Sequence, residues 1–469
     1  MADYALSDQF EVSGRWFLPD CPEAPLFGVL RQSPAGSELD LDGSFQKLRS
    51  IYAGDLYRYP VIHGQTSDGQ TVTMLNAYQS VLKMKAGPAG LFVAEVLRAQ
   101  KVLVGTTATP ETCFSRCKFR IPGLQVWLAS PVIERTFEKD ESTGFNTFRY
   151  RLPVSNDLKS HVDSLAATIE WMTYCQDANM LDVFSGISVS VTGWLEIQPD
   201  DPKPLQWFLE HEAALTYFLS FLAGTPMSPD RIDVYLDTQD TPISVLFKMT
   251  NGRTCNFTSL HEFFISRDRL GIDLDPVLAK WFELFTAIQK PCELAFSIFA
   301  SEGLYLHMEF LSWMQALEGL HRALPESVLP AIPTKGKRGP TLRQRLDSLS
   351  GYLSKSLRIC LLGSDAVPPA WIKTRDYYTH WIESFRPSIL DTEGLLDANV
   401  RACNLTTALL LVFSGVPQDA VLAAYQGASK TARELRFRNA MLARKQNPTS
   451  SAGLIMEVRE SGTDSSAGN

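Results

Sequence analysis

Hydrophobic and polar positions alternate with a period of two through most of the stretch from Phe10 to Ile197. The segments FEVSGRWF, LFGVLRQS, SELDLDG, LYRYPVIHG, QTVTMLNAY, QKVLVG, RCKFRIPGLQVWL, FNTFRYRL and GISVSVTGWLEI follow one another, punctuated by Gly, Pro and Asp. Many short alternating runs at close spacing predict half-buried strands of an antiparallel sandwich or barrel. LQWFLEHEAALTYFLSFLAG predicts a helix, and RIDVYLD and ISVLFKM predict two further strands.

At DLDPVLAKWFELFTAIQK the period changes to between three and four, with Asp275 placed as N-cap and Pro276 at the first helical position. Everything after it reads as helix. EGLYLHMEFLSWMQALEGLHRAL aligns Leu304, Met308, Leu311, Met314 and Leu317 along one stripe, and TLRQRLDSLSGYLSK is a shorter helix. PPAWIKTRDYYTHWIESF starts behind two prolines, GLLDANVRACNLTTALLLVFSG is apolar enough for a bundle interior, and one last helix runs from Gln418 to Lys445. The expected fold class is α+β. It comprises an antiparallel β-rich N-terminal domain over residues 1–200, a mixed α/β connecting region over 201–275 and an all-helical bundle over 276–447. A Ser/Gly-rich tail expected to be disordered fills 448–469.

A chain of 469 residues exceeds the roughly 250 to 300 at which one core stops growing, so more than one domain is expected. No stretch reaches the roughly 18 uncharged apolar residues of a membrane span. The longest candidate, Leu405 to Val416, falls short, and the opening MADYALSDQFEV lacks the basic flank and apolar block of a secretory signal. A cytoplasmic protein with no membrane partner is expected. The eight cysteines form no C-x-x-C pair and read as reduced, mostly buried thiols. No metal or cofactor is expected. A Gly-rich phosphate loop, a G-x-S-x-G elbow and an H-E-x-x-H pair are all missing, which leaves NTPase, α/β-hydrolase and zinc-protease readings unsupported.

The formal charge of −8 is unevenly spread: residues 1–275 hold 23 Lys and Arg against 34 Asp and Glu, while residues 276–447 hold 20 against 15. An acidic front half is a poor platform for nucleic acid, whereas the mildly basic helical part could meet a phosphate backbone. Within that basic part, TRDYYTH places Arg375 and His380 five positions apart, about 140° away from each other around a helix. They can still converge on one cleft if a second copy of the helix packs against the first about a two-fold axis, which requires a homodimer. Asp376 and His380, at i and i+4, can touch, so Asp376 could orient the imidazole. A cleft holding arginines and histidines suits cleavage of RNA by its own 2′-hydroxyl. The nucleophile is already in place, an imidazole titrating near neutrality moves protons, and a guanidinium stabilises the charge on phosphorus.

The R-x4-H spacing of Arg375 and His380, with a polar residue after the arginine, resembles the motif of the HEPN superfamily of helical ribonucleases. Its position, after FLSWMQALEGLHRAL and TLRQRLDSL in a helical C-terminal part, resembles the HEPN domain of the ApeA family of bacterial anti-phage proteins. The segment from Phe10 to Phe45 is similar to the start of that family, whose G-x-W-x-x-P element is matched by Gly14, Trp16 and Pro19. The resemblance spans roughly residues 8–445. It implies a metal-independent, dimeric endoribonuclease acting as a toxin in abortive infection, with transfer RNA as its expected substrate. Arg375 and His380 would be the catalytic pair and Asp376 an accessory polar residue. Family members more often carry Asn at that position, so Asp376 departs from the pattern. A phage-derived trigger is implied as a partner, with the N-terminal region as sensor and regulator.

Several residues keep two readings. Tyr377, Tyr378 and Trp381 could stack on RNA bases, although aromatics in a helix more often pack in a core or a dimer contact. Lys335, Lys337, Arg338, Arg343 and Arg345 of TKGKRGPTLRQR could embrace a phosphate backbone or form a solvated connection. Arg433, Arg436 and Arg444 carry the same ambiguity. His321 with Arg322 could line the cleft if their helix flanks that of Arg375, and His307 reads as a surface or bundle residue. The competing function is a non-catalytic protein whose β-rich part binds a ligand or a phage protein and whose helical bundle only dimerises.

Overall fold

A computed structural model describes residues 4–46, 57–87, 90–128, 134–139, 146–151, 158–177, 189–249, 257, 262–333 and 339–446. The tail over 448–469 lies outside the described residues. The chain divides into two compact units, Met1–Leu260 with Asp273–Glu283, and His261–Ile272 with Leu284–Asn469.

In the first unit, β1 (Phe10–Phe17), β2 (Leu26–Ser33), β3 (Gly36–Leu41), β4 (Arg58–Thr66), β5 (Thr71–Gly87) and β6 (Gly90–Ala99) pair antiparallel in the order β5-β4-β1-β2-β3-β6. Because β6 also pairs with β5, these strands close into a barrel. The alternation seen in the sequence has its cause here. Inward positions such as Trp16, Leu30, Leu39 and Leu41 are almost fully buried, while their neighbours are more exposed. Trp16 is paired across the ladder with Gly64 and donates its indole N–H to the Gly28 carbonyl at 3.2 Å. A Cβ on Gly64 would lie 2.3 Å from the Trp16 ring, so a side chain there would displace the indole.

β5 is long enough to pair with three strands. Its first half pairs with β4 and with β7 (Lys101–Val104), and from Tyr78 onward it pairs with β6, across an irregularity between Gln79 and Val81. Further strands follow along the chain. They are β8 (Cys113–Phe114), β9 (Arg116–Arg120), β10 (Glu134–Lys139), β11 (Asn146–Arg151), β12 (Leu158–Val162), β13 (Ala167–Asp177), β14 (Val189–Pro199), β15 (Lys203–Pro204), β16 (Arg231–Tyr235) and β17 (Ile243–Leu246). Beyond the barrel the sheet continues β7-β17-β16-β9-β14-β13-β12, while β10-β11 and β8-β15 are separate pairs.

RCKFRIPGLQVWL does not continue as strand throughout. After Arg120 the Pro-Gly pair breaks the ladder, with Gly123 at φ 91°, and α1 (Leu124–Trp127) buries Leu124 and Trp127. Residues 201–275, expected as a connecting region, contribute α2 (Leu205–Ala223), β16 and β17 to the first unit. Trp281 donates its indole N–H to the Ala214 carbonyl of α2 at 2.9 Å, and its ring lies 5.4 Å from that of Phe218.

α3 (Leu274–Ala300) belongs to the first unit as far as Glu283 and to the second from Leu284. It starts one residue before the expected cap, so Asp275 sits in the first turn, where its carboxylate accepts a hydrogen bond from Ser160. The second unit continues with α4 (Leu306–Ala323), α5 (Leu342–Tyr352), α6 (Lys355–Leu362), α7 (Pro369–His380), α8 (Thr392–Phe413), α9 (Gln418–Gln426) and α10 (Lys430–Gln446). α8, at 22 residues, is long and apolar enough by composition to cross a membrane, and 78% of its apolar window is buried inside the fold. The stripe expected on α4 is rotated: Phe310, Trp313, Met314, Leu317 and Leu320 are buried, whereas Leu304 precedes the helix and Met308 is exposed. Turning Phe310 and Trp313 inward buries more apolar area than Leu304 and Met308 could supply. The last expected helix is two, because Gly427 interrupts it and Ser429 caps α10 through the Ala432 N–H.

Glu212 of α2 is buried beside Thr216, which donates a hydrogen bond to its carboxylate. Burial pushes the carboxyl up to about 7 from an ordinary 4.5. The folded chain therefore keeps a proton that the unfolded chain releases as the pH rises between those values. The first unit should lose on the order of 3 kcal/mol of stability across that window, a loss complete above the folded value. Glu212→Gln, which cannot ionise, should flatten this fall when unfolding free energies at pH 5 and pH 8 are compared by urea titration. A fall as steep as that of the parent would contradict the assignment.

Candidate active site

Arg375 and His380 lie on α7, whose setting is fixed by three buried positions spaced three apart: Trp371, Thr374 and Tyr377. Pro369 at the start of the helix presets φ for the first turn and follows Pro368 in extended conformation. The Trp371 ring meets Phe310 of α4 edge-on at 6.2 Å. Thr374 is fully buried, and its hydroxyl accepts the Leu390 N–H at 2.9 Å, which ties the segment following the helix back onto it.

The helix does not run on to Phe385 as its apolar pattern suggested. It ends at His380 because Trp381 adopts a left-handed conformation, φ 52° and ψ 44°, and donates its N–H to the Tyr377 carbonyl at 2.7 Å. Glycine is the usual residue at such a cap, so a tryptophan there is a strained exception. The indole remains 67% exposed. His380 is thus carried in an exposed last turn, with no hydrogen bond or ion pair among the described residues.

Arg375 points elsewhere. Its Nη2 donates to Glu318 Oε2 of α4 at 3.2 Å and its Nη1 to Asp376 Oδ1 at 3.0 Å, with 24% of the side chain exposed. The contact expected between Asp376 and His380 is not made, since the Asp376 carboxylate is turned to Arg375 instead. Two carboxylates competing for one guanidinium at close range outweigh a single contact to an exposed imidazole. Within one chain, Arg375 and His380 therefore occupy different sides of α7, as the spacing requires.

Glu318 was not singled out from the sequence, although its i, i+4 relation to Arg322 was visible there. Its Oε1 accepts from Arg322 Nη2 at 2.7 Å, and Arg345 Nε lies 4.0 Å away. Arg345 of α5 turns inward and donates from Nη1 to His321 Nδ1 at 3.2 Å. Burial pushes the His321 pKa down, and the charges of Arg345 and Arg322 add to the shift. Lys335, Lys337 and Arg338 lie outside the described residues. Arg343 pairs with Asp347 at 2.7 Å, and Arg436 donates to the carbonyls of Gln426 and Gly427 at the end of α9, so it caps a helix.

A row of rings borders the exposed end of α7. Tyr305 stacks on His307 (6.0 Å), His307 on Tyr378 (5.5 Å), and Tyr378 meets Tyr377, which meets Trp381 at 5.8 Å. Tyr377 is buried as a packing residue, Tyr378 is half-buried, and Tyr305 is 73% exposed. Met308, on the same helix as His307, is exposed as well, and Trp381 adjoins His380 in the chain.

Thr374→Val should destabilise the second unit by roughly 1–3 kcal/mol, because the Leu390 N–H loses its acceptor without any change in side-chain volume. Thr374→Ser should retain most of the stability. Equal urea midpoints for the parent and the valine variant would contradict this placement of the hydroxyl.

Residues 11–281 match the family ApeA N-terminal domain 1. No curated protein matches the chain, and no solved structure does. The matched stretch runs from the start of the barrel through α2, β16 and β17 into α3, more than half of the sequence. The chain belongs to the ApeA family.

Proposed function

We propose that the second unit is a metal-independent endoribonuclease of the HEPN type, acting on RNA, with transfer RNA as its expected substrate. Membership of the ApeA family supports a role in anti-phage defence. The observation that carries the nuclease reading is the placing of the two motif groups: Arg375 held at a partly open position by Glu318, and His380 exposed in the final turn of the same helix. The chemistry fits RNA because the substrate brings its own nucleophile. Imidazoles then move the proton from the 2′-oxygen and to the leaving 5′-oxygen, while a guanidinium meets the charge that develops on phosphorus.

Since Arg375 and His380 diverge around α7, the reading requires a second copy of the chain whose α7 packs near the first. The exposed side chains of Tyr305 and Met308, and of Trp381 directly after His380, support that contact, because apolar area of this kind is stabilised when covered. The first unit then acts as sensor and regulator of the nuclease, responding to a phage-derived trigger. Its acidic balance disfavours RNA binding outside the helical part.

His380→Ala and Arg375→Ala should each lower RNA cleavage by about 100-fold or more at unchanged helical circular dichroism. EDTA should leave the parent's cleavage intact, and DNA should survive. A His380→Ala protein as fast as the parent would remove the histidine from the mechanism, and loss of cleavage on chelation would point to a metal.

A second reading draws on the barrel. An open cleft of about 780 Å³ on the first unit is lined by charged and polar groups that include Arg31, Glu38, Arg98 and Lys248, with Tyr78 beside them. Such a pocket supports ligand binding by the first unit, with or without catalysis by the second. Growth separates the readings. Overexpression of the parent should slow bacterial growth and Arg375→Ala should not, whereas equal tolerance of both, even during infection, would favour a binding protein without catalysis.

A further inference from the structure

The surroundings of Glu318 hold more positive charge and more N–H donors than their carboxylates can satisfy. Three guanidiniums, those of Arg322, Arg345 and Arg375, lie within 4.0 Å of the Glu318 carboxylate. The only other carboxylate paired with any of the three among the described residues is Asp376. His321 adds no negative charge. Its Nδ1 faces Arg345 Nη1, which can only donate, so Nδ1 accepts and the ring's proton resides on Nε2. That Nε2 and Arg345 Nε are buried without a hydrogen-bond partner. Buried donors left over in this way mark a place where an acceptor is wanting.

The geometry of the exposed side of this cluster says which group would meet an acceptor from outside. Glu318 is 17% exposed and uses its two oxygens separately, Oε1 for Arg322 and Oε2 for Arg375. Arg322 contacts Oε1 through both Nε (3.2 Å) and Nη2 (2.7 Å), yet its side chain is 61% exposed. Its Nη1, which makes no hydrogen bond among the described residues, is therefore left with two N–H groups for a further partner. A solitary exposed Glu–Arg pair on a helix would be a minor surface contact. Here the same carboxylate also holds the arginine of the motif, so the two guanidiniums are set side by side by one anchor.

We propose that Arg322 is a second phosphate-contacting residue of the RNA site, aligned with Arg375 by Glu318, which acts as a positioning residue for both. The inference rests on the ribonuclease reading and extends it from the cleaved phosphate to a neighbouring phosphate of the same strand. Arginine suits that task because its planar fork keeps donors available for a phosphate while one edge stays bound to a carboxylate. Arg345 stands behind the pair and adds charge without reaching solvent, as only 10% of its side chain is exposed.

The test separates binding from cleavage. In a His380→Ala background, the affinity of the full-length chain for a single-stranded RNA oligonucleotide is measured across a salt series by fluorescence anisotropy. Arg322→Gln should weaken binding by about 5- to 10-fold and reduce the slope of log affinity against log salt by about one contact's share, near 0.7. Arg322→Lys should recover part of the slope, and Lys290→Gln, an exposed charge removed from α3, should change neither quantity. In the otherwise unmodified chain, Arg322→Gln should raise KM more than it lowers kcat, while Glu318→Gln should lower kcat because Arg375 loses its anchor. Unchanged affinity and salt slope in Arg322→Gln, with His380→Ala still abolishing cleavage, would overturn the role of Arg322 and leave the ribonuclease reading standing. A parent chain that neither binds nor cleaves RNA would overturn both.

Discussion

The burial of Trp371, Thr374 and Tyr377 on one side of α7 determines how every polar group of that helix is presented. Three residues spaced three apart occupy the narrow face against the bundle, and the rotation of the helix then has no freedom left. Arg375 is turned toward α4, where Glu318 meets it, and His380 is carried to the open end. The strained backbone at Trp381 is part of the same arrangement. By stopping the helix directly after His380, it leaves the imidazole in a terminal turn rather than in the middle of a longer helix.

Local patterning made the elements legible, and contacts distant in sequence did not show in it. Strands such as Phe10–Phe17 and Leu26–Ser33 follow directly from alternation, since one face is buried and the other is not. The closure of the barrel depends on β6 returning to β5 past an irregularity at Gln79 and Val81, and no period in the sequence records that. Errors arose where punctuation outweighed periodicity. Gly123 converted the end of an apparent strand into a helical turn, and Gly427 cut an apparent helix in two. On α4, Met314 and Leu317 of the expected stripe are buried, but Phe310 and Trp313 take the places expected for Leu304 and Met308.

The candidate site was legible to the same extent. Arg375 and His380 stand out as a motif within one helix, and the structure carries both on α7. Glu318 lies 57 residues before Arg375, and only packing brings its carboxylate to that guanidinium. For the same reason the role expected for Asp376 shifted from the imidazole to the arginine: the spacing allowed both, and the proximity of Arg375 decided between them. Of the basic loop, Arg345 has become an interior residue that holds His321, an outcome that charge alone could not indicate.

The first unit is a closed barrel with an extended sheet, and the second carries Arg375 and His380 on its helices. On the proposed chemistry the decisive atom belongs to the substrate, the 2′-oxygen of the nucleotide preceding the broken bond. The most direct measurement is cleavage of an RNA that carries a single 2′-deoxy nucleotide at the mapped cleavage position. The account predicts that cleavage at that position is lost, and that the unmodified RNA yields a 2′,3′-cyclic phosphate end. Undiminished cleavage of the deoxy-substituted RNA would contradict it.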